Sequence, residues 1–327
     1  MRYLWRRLLF YLVALWASIT LNFAIPRMMP GNPAEAIFAS HAQQLRGNPR
    51  ALQTLETVLG LSNDPMPVQY WHYLVDLVHG NLGTSFSFFP THVATIIAQS
   101  LPWTIFLVGA ASIIAFVIGI MAGIVVAWRR GGWLDSILPP LTLIASNFPF
   151  FFLALVLLYA LAFQLKVFPL NGAYTMGTTP APTLAFAGDV LAHAVLPAAT
   201  IVIVTIGWWI LGMRNTMINT LSEDYITMAE AKGLSDRRVM LLYAARNALL
   251  PQITGFALSL GSLVGGQILI EYIFSYPGVG YLLANAIGSE DYPLIQALLL
   301  IITVCVLFAN LLADLVYGRL DPRVRTT

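Results

Sequence analysis

Charge is scarce in this sequence. Only 10% of its 327 residues are Asp, Glu, Lys or Arg, against roughly a quarter in an ordinary soluble domain. The 17 basic and 15 acidic residues leave a formal net charge of +2. With so small an excess, and with no basic run interleaved with aromatics, nucleic acid is excluded as a partner. Lysine occurs only as Lys166 and Lys232, and neither follows a glycine. The G-x-x-x-x-G-K loop that cradles nucleotide phosphates is therefore absent. The single cysteine, Cys305, lies in an apolar run, can form no internal disulfide and reads as a small packing residue. There is no HExxH, no GxSxG and no pair of aspartates inside an apolar run, which removes the common membrane-embedded enzymes.

Hydrophobic residues fill the space that charge leaves. They make up 58% of the chain, with aromatics alone at 12%, and the mean hydropathy is +0.76. Such a composition belongs in a lipid bilayer. Six apolar runs are long enough to cross a hydrocarbon core of about 30 Å at about 1.5 Å per residue. They are 8–25, 103–128, 137–163, 195–213, 253–274 and 294–317. The first follows Arg2, Arg6 and Arg7 as a secretory signal would. It is long for a signal core and no small-x-small cleavage site follows it, so it is read as a retained helix. Trp103, Trp128 and Trp133 suit an interfacial belt, and Pro139, Pro140 and Pro251 are expected in first helical turns, where a missing N–H is tolerated.

Arginine sets the orientation. One set of loops holds Arg2, Arg6 and Arg7, then Arg129 and Arg130, then Arg214, Lys232, Arg237, Arg238 and Arg246, and last Arg319, Arg323 and Arg325. The other side holds Arg27, Arg46, Arg50 and Lys166. The positive-inside rule then predicts both termini in the cytoplasm. The first outer segment, 28–101, is too long for a bare connection and is expected to form a small extracytoplasmic domain. Within it Trp71, Leu74, Val75 and Val78 recur at helical spacing, as one face that packs or lies on the membrane, and Gly80 stands where such a helix stops. The other face carries His72, Asp76 and His79, a spacing that can ligate a metal. With no cysteine or further carboxylate beside them, they read as a solvated polar face.

Between the fourth and fifth runs the charges gather, in "SEDYITMAEAKGLSDRRVMLLYAARNALLP", 222–251. Ser222 is expected to cap a short helix with Glu223 and Asp224 in its first turn, Lys232 in its last, and Gly233 at the left-handed C-terminal position. Ser235 then caps a second helix that begins at Asp236, with Val239, Leu242, Tyr243 and Arg246 on one face, and runs on to Pro251. On the residues alone two readings stay open. The unit is either a connector held at anionic headgroups by Arg237 and Arg238, each contributing about 1 kcal/mol, or a rigid helix presented to a soluble partner. Elsewhere, Glu271 and Asp314 lie near expected helix ends and read as interface-solvated, and His193 reads as a boundary residue before the fourth run. Asn147 and Pro149 fall inside the third run, where a kink would expose backbone carbonyls along a solute path. Pro277, Gly278 and Gly280 break the chain after the fifth.

The stretch up to Pro251 resembles the cytoplasmic coupling loop of membrane-spanning subunits of binding-protein-dependent ABC importers, in the dipeptide/oligopeptide (and nickel) permease branch. "MMPGNPAEAI", "VHGNLGTSF", "WRRGGWLD", "EYIFSYPGVGYLLANAI" and "LADLVYGRLDPRVR" resemble the same branch in the same order, so the likeness covers nearly the whole chain. It implies an all-α membrane protein of type I ABC importer topology with six transmembrane helices. These divide into a first helix at 1–27, an extracytoplasmic domain at 28–101, a five-helix core at 102–318 that includes a coupling loop at 214–251, and a cytoplasmic tail at 319–327.

The same resemblance implies a multi-pass subunit of the prokaryotic cytoplasmic (inner) membrane that forms half of a translocation path. Its implied partners are a homologous second permease subunit, two ATP-binding subunits that hold the ATP and Mg, an extracytoplasmic solute-binding protein and membrane lipid. The chain itself would carry no catalytic residue, cofactor or metal. Ala229, Glu230, Ala231, Lys232, Gly233, Leu234 and Ser235 are expected to meet the ATPase, and Asn147, Pro149 and Glu271 are candidates for lining the path. One departure is visible: the wider superfamily places Glu-Ala-Ala where this chain has Thr227, Met228 and Ala229, so Glu230 does not inherit that acid's role. The branch carries di- and oligopeptides, and similar subunits serve nickel and short oligosaccharides; the aromatic "SFSFFPTHV" keeps sugars open. An ion-driven secondary transporter would want an acid deep in a span and matching broken helices in the two halves, and neither is evident.

Overall fold

The computed structural model describes residues 2–28, 65–260 and 267–320. In chain order the helices are α1 (Arg2–Met28), α2 (Met66–Val78), α3 (Val93–Trp128), α4 (Trp133–Asn147) and α5 (Phe150–Leu157), the last prolonged by a π-helical turn, Leu158–Gln164. There follow α6 (Leu184–Leu221), α7 (Asp224–Ala231) and α8 (Asp236–Arg238), which passes through a π-helical stretch, Val239–Ala245, into α9 (Arg246–Ser259). The order ends with α10 (Ile268–Ile273), α11 (Val279–Gly288) and α12 (Tyr292–Leu320). The β contact among the described residues is one isolated bridge between Thr84 and His92.

The pair α3 and α6 forms the axis. With 36 and 38 residues they are about 54 and 57 Å long at 1.5 Å per residue, so both outreach the hydrocarbon core. Each starts well before its expected boundary at 103 or 195, and Pro102 and Pro197 lie inside the helices. Neighbouring helices can re-satisfy the backbone groups that such a proline frees. The two axes approach closely because Gly119 and Gly123 present bare backbone four residues apart. A Cβ at Gly119 would stand 2.6 Å from Trp209 Cβ, and one at Gly123 would stand 2.8 Å from both Ile210 O and Met213 Cβ. This is the small-xxx-small logic of helix packing in lipid. Along α6, antiparallel α4 docks by the same device: a Cβ at Gly207 would lie 2.9 Å from Thr142 Cβ.

Apolar clusters mark successive levels along α3. At its N-terminal end Val93, Ile96 and Ile97 pack with α11 and α12. In the middle Leu107, Val108 and Ala111 meet Ala154, Leu196, Ile201 and Ile270. At the C-terminal end Ile120 and Ala127 pack with Met213 and Met217 of α6, with Ile226 and Ala229 of α7, and with Ala244, Ala245 and Ala248 beyond it.

Four described helices are long and apolar enough to cross a bilayer: Arg7–Ala24, Val93–Trp128, Leu184–Leu221 and Tyr292–Leu311. A fifth follows if Trp133–Asn147 and Phe150–Gln164, bent by 96°, count as one span. The expected six are not reached among the described residues. The third run is broken at Pro149, and the fifth, 253–274, is divided between α9 and α10 with 261–266 outside the described residues. Pro139, Pro140 and Pro251 lie inside α4 and α9 rather than in first turns, since both helices start several residues before the apolar runs at 137 and 253.

About half of the expected extracytoplasmic domain, 29–64 with most of "MMPGNPAEAI", lies outside the described residues, as do 321–327 of the expected tail. The described part, 65–101, holds α2, which has no buried residue, and the segment that leads into α3, where Ser85 and Phe86 are buried. Of the expected apolar face, Trp71, Val75 and Val78 are exposed and Leu74 is half-buried. Tyr70 and Tyr73 make the contact instead, with ring centroids 5.1 and 5.5 Å from Phe23 of α1, and the Tyr70 hydroxyl lies 2.8 Å from Thr20 Oγ1. Gly80, at φ +73, stops the helix region as expected.

Candidate functional site

The charged segment folds as helix, glycine corner, helix. α7 is capped by Glu223, while Ser222 belongs to the preceding helix: it is the C-cap of α6 and its hydroxyl donates to Asn219 O at 2.7 Å. The expectation of a Ser222 N-cap is thereby corrected, because α6 runs on so far that Ser222 is needed to close it. Lys232 is the C-cap residue. Gly233 follows at φ +74, its N–H donating to Glu230 O at 2.8 Å, and Leu234 N–H reaches back to Ala229 O at 3.3 Å. These two bonds are the Schellman closure that a left-handed glycine permits.

α7 has two unlike faces. Ile226 and Ala229 are buried in the cluster at the end of α3, and Leu234 packs against the same cluster. Tyr225, Thr227, Glu230, Ala231 and Lys232 are exposed, as is Met228 at 60%. A side-chain strut holds the helix to its neighbour: Asn247 Nδ2 donates to Tyr225 OH and to Tyr243 O, both at 3.0 Å.

Downstream, Ser235 stands at the N-cap of α8. The face expected beyond it, Val239, Leu242, Tyr243 and Arg246, is not the buried one. Val239, Ala244, Ala245 and Ala248 are buried, while Leu242, Tyr243 and Arg246 are exposed. The cause is the π-helical stretch Val239–Ala245. A π turn closes at i+5 and takes in one extra residue, so the helical phase slips and the small residues turn inward.

The break at Pro149 is the second feature. Phe148 is extended (φ −72, ψ 130), as a residue before proline prefers, and α4 ends there. Asn147 Nδ2 turns back onto Leu143 O at 2.7 Å. Both Asn147 and Pro149 are exposed. The expected kink is a full break between two helices at 96°. The other end of α4 is tied down: Arg214 Nε donates to Asp135 Oδ1 at 2.6 Å and Gly131 N–H to Asp135 Oδ2 at 2.9 Å.

Glu271 departs furthest from expectation. It is 0% exposed, so it is neither interface-solvated nor open to a path. Thr104 Oγ1 donates to Glu271 Oε1 at 2.7 Å, Gly280 N–H to Oε2 at 2.7 Å and Tyr281 N–H to Oε2 at 3.3 Å, while Val279 N–H donates to Thr104 Oγ1 at 2.8 Å. The carboxyl group thus caps the start of α11 from another helix. Gly278 is required here, because a Cβ would meet the Glu271 carboxyl and the Thr104 hydroxyl, and a Cβ at Gly280 would stand 2.6 Å from Ile268 Cα. Pro277 and these glycines do break the chain after α10, as the sequence predicts.

A second buried acid was not foreseen. Asp291, also 0% exposed, accepts from Ser85 Oγ, from Ser87 N–H at 2.9 Å and from Leu294 N–H at 3.3 Å. Thr104, Ser85 and Asp291 carry no signal in a one-dimensional reading, since their partners lie 167 to 206 residues away. The remaining candidates are local. His79 Nδ1 lies 2.8 Å from Val75 O and Asp76 Oδ1 accepts from Asn81, and no group of three possible metal ligands occurs among the described residues. His193 lies inside α6, with Nδ1 2.8 Å from Asp189 O. Cys305 is half-buried. The side chain of Asp314 is outside the described residues.

Comparison with known proteins accounts for the whole chain. Residues 115–326 match the family described as binding-protein-dependent transport system inner membrane component, and residues 1–108 match the N-terminal region of the same kind of membrane component. Among similar proteins, the dipeptide transport system permease protein of Alkalihalophilus pseudofirmus is 34% identical over 339 residues, covering 99% of each chain. The oligopeptide transport system permease protein of Bacillus subtilis is 34% identical over 98% of each. The glutathione transport system permease protein of Escherichia coli O6:H1 is 31% identical over 99% of each. A profile match over more than half of the residues, joined to relatives aligned from end to end, places this chain in the family of binding-protein-dependent transport system inner membrane components.

Proposed function

We propose that this chain is a membrane-spanning permease subunit of an ATP-driven importer of di- and oligopeptides. The observation that carries the reading is end-to-end likeness to permease proteins whose names specify dipeptides, oligopeptides and glutathione, itself a small peptide. The chain has no P-loop lysine, so ATP and Mg belong to separate subunits. A homologous second permease and an extracytoplasmic solute-binding protein complete the assembly. α7 is the handle for the ATPase: Ile226 and Ala229 root it in the protein while Met228, Glu230, Ala231 and Lys232 face outward, and Gly233 to Ser235 set the corner. Arginine distribution puts α7 and both termini in the cytoplasm. The exposed break at Asn147 and Pro149 is the described feature best suited to face the solute path, because irregular backbone at membrane depth is tolerated where it lines a cavity.

The test is uptake of labelled dipeptide and tripeptide into proteoliposomes holding the complete assembly. ATP-dependent, vanadate-sensitive accumulation is the expected result. Transport by the chain without its ATPases, or uptake indifferent to ATP, overturns the reading, and accumulation of an oligosaccharide in place of peptide overturns the substrate.

A further inference from the structure

α11 is held at both ends by residues from outside it, at its start by the Glu271 carboxyl and at its end by the Asp291 N–H. At its start Glu271 accepts Gly280 and Tyr281 N–H groups, and Thr104 of α3 bonds both the Glu271 carboxyl and Val279 N–H. At its end Asp291 donates its own N–H to Ala286 O, while its carboxyl caps α12 through Leu294 N–H and holds the strap before α3, residues 79–92, through Ser85 and Ser87. Ser87 Oγ adds a bond to Ser289 Oγ at 2.8 Å. Burying two acids is costly unless every acceptor is filled, and here each carboxyl takes three donors. Apolar packing follows the same line: Val279, Leu282, Leu283 and Ala286 of α11 meet Val93, Ile96 and Ile97 of α3 and Leu294 and Leu298 of α12.

The other end of α3 holds α7. Thr104 and Ala127, which packs in the α7 cluster, are about 35 Å apart along one continuous helix at 1.5 Å per residue. A long helix is a stiff element able to carry displacement between distant sites. We propose that Glu271 is a positioning residue, an internal pin that together with Thr104 locks α11 to α3, so that a displacement applied at α7 moves the far end of the molecule as one piece. The source of that displacement rests on the import reading above; the pin itself does not.

Hydrogen exchange of the membrane-embedded chain, read over 276–283, tests the pin. Glu271→Ala and Thr104→Val are expected to speed exchange at Val279, Gly280 and Tyr281 on the order of tenfold, as loss of capping bonds requires. Thr104→Ser, which keeps the hydroxyl, is expected to restore protection. Unchanged exchange in Thr104→Val sinks the pin even if Glu271→Ala fails to insert. In the reconstituted importer, Thr104→Val should lower peptide moved per ATP by about tenfold while ATP turnover stays within about twofold of wild type, the mark of lost coupling. Uptake and turnover falling in proportion, or neither changing, overturns the transmission role. Wild-type assembly that moves no peptide with ATP sinks the import reading instead, and leaves the exchange result standing by itself.

Discussion

At Gly233 the backbone, not the available room, sets the requirement. The residue sits at φ +74, and a Cβ built there would meet nothing within 4 Å. Side-chain size is therefore irrelevant, and only the left-handed conformation, which penalises ordinary L-residues by about 1 to 2 kcal/mol, discriminates among substitutions. Asparagine visits that region several-fold more often than other non-glycine residues, and β-branched residues least. Gly233→Asn is expected to keep most ATP-dependent uptake and Gly233→Val to lose it, although both add bulk. Equal losses in the two variants, measured as initial uptake rates at matched membrane abundance, would show that the corner needs a bare surface rather than a left-handed turn. Gly278 requires the opposite: its neighbours fill the space a Cβ would take, and there any side chain is excluded. "AKGLS" and "YPGVG" therefore use glycine for unlike reasons that the letters do not distinguish.

The helix from α8 into α9 carries a prediction of its own. Val239, Ala244 and Ala248 are buried at spacings of five and then four because the π-helical stretch holds one residue more than an α-helix would. Leu242 is exposed within it. Deleting Leu242 would bring the three buried positions to i, i+4 and i+8, the ordinary helical face, and should leave insertion and thermal stability close to wild type. Deleting Leu250, exposed in regular α9, would rotate one side of that helix against the other by about 100° and should destabilise the protein. Melting of the two purified deletion variants in detergent decides it, and a severe loss on deleting Leu242 would mean that the wide turn is itself required. The same stretch shows where sequence reading reached its limit. Apolar length located α1, α3, α6 and α12, and the cap chemistry of Gly233 and Ser235 placed the corner correctly. A period of 3.6 could not foresee the π turn, so it grouped Val239 with Leu242, Tyr243 and Arg246 on one face, whereas Val239 is buried and the other three are exposed. Pro149 announced a kink but not its 96°, and hydropathy could not foresee the enclosure of Glu271, which depends on Thr104 of α3, 167 residues away.

At the scale of the whole molecule, α3 is the ruler. Its about 54 Å exceed the about 30 Å of hydrocarbon, so both of its ends reach beyond the core. One end starts just after the strap that carries exposed Phe88, with His92 as its N-cap. The other packs against α7, where Met228 is exposed. If α3 spans the bilayer, Phe88 and Met228 are expected on opposite sides of the membrane, and the positive-inside rule predicts Met228 on the cytoplasmic side. The single native cysteine makes this measurable. In a Cys305→Ala background, Phe88→Cys should react with a membrane-impermeant maleimide in intact spheroplasts. Met228→Cys should react only after the membrane is opened, and co-assembled ATPase should shield it, because a docked partner covers the outward face of α7. Labelling of both positions from one side would contradict the length of α3 as a spanning rod, and exchange of the two sides would invert the orientation that the arginines dictate. Labelling of Met228→Cys unaffected by the ATPase would leave α7 without its partner and return the charged segment to the other reading open on its residues, a connector lying on anionic lipid.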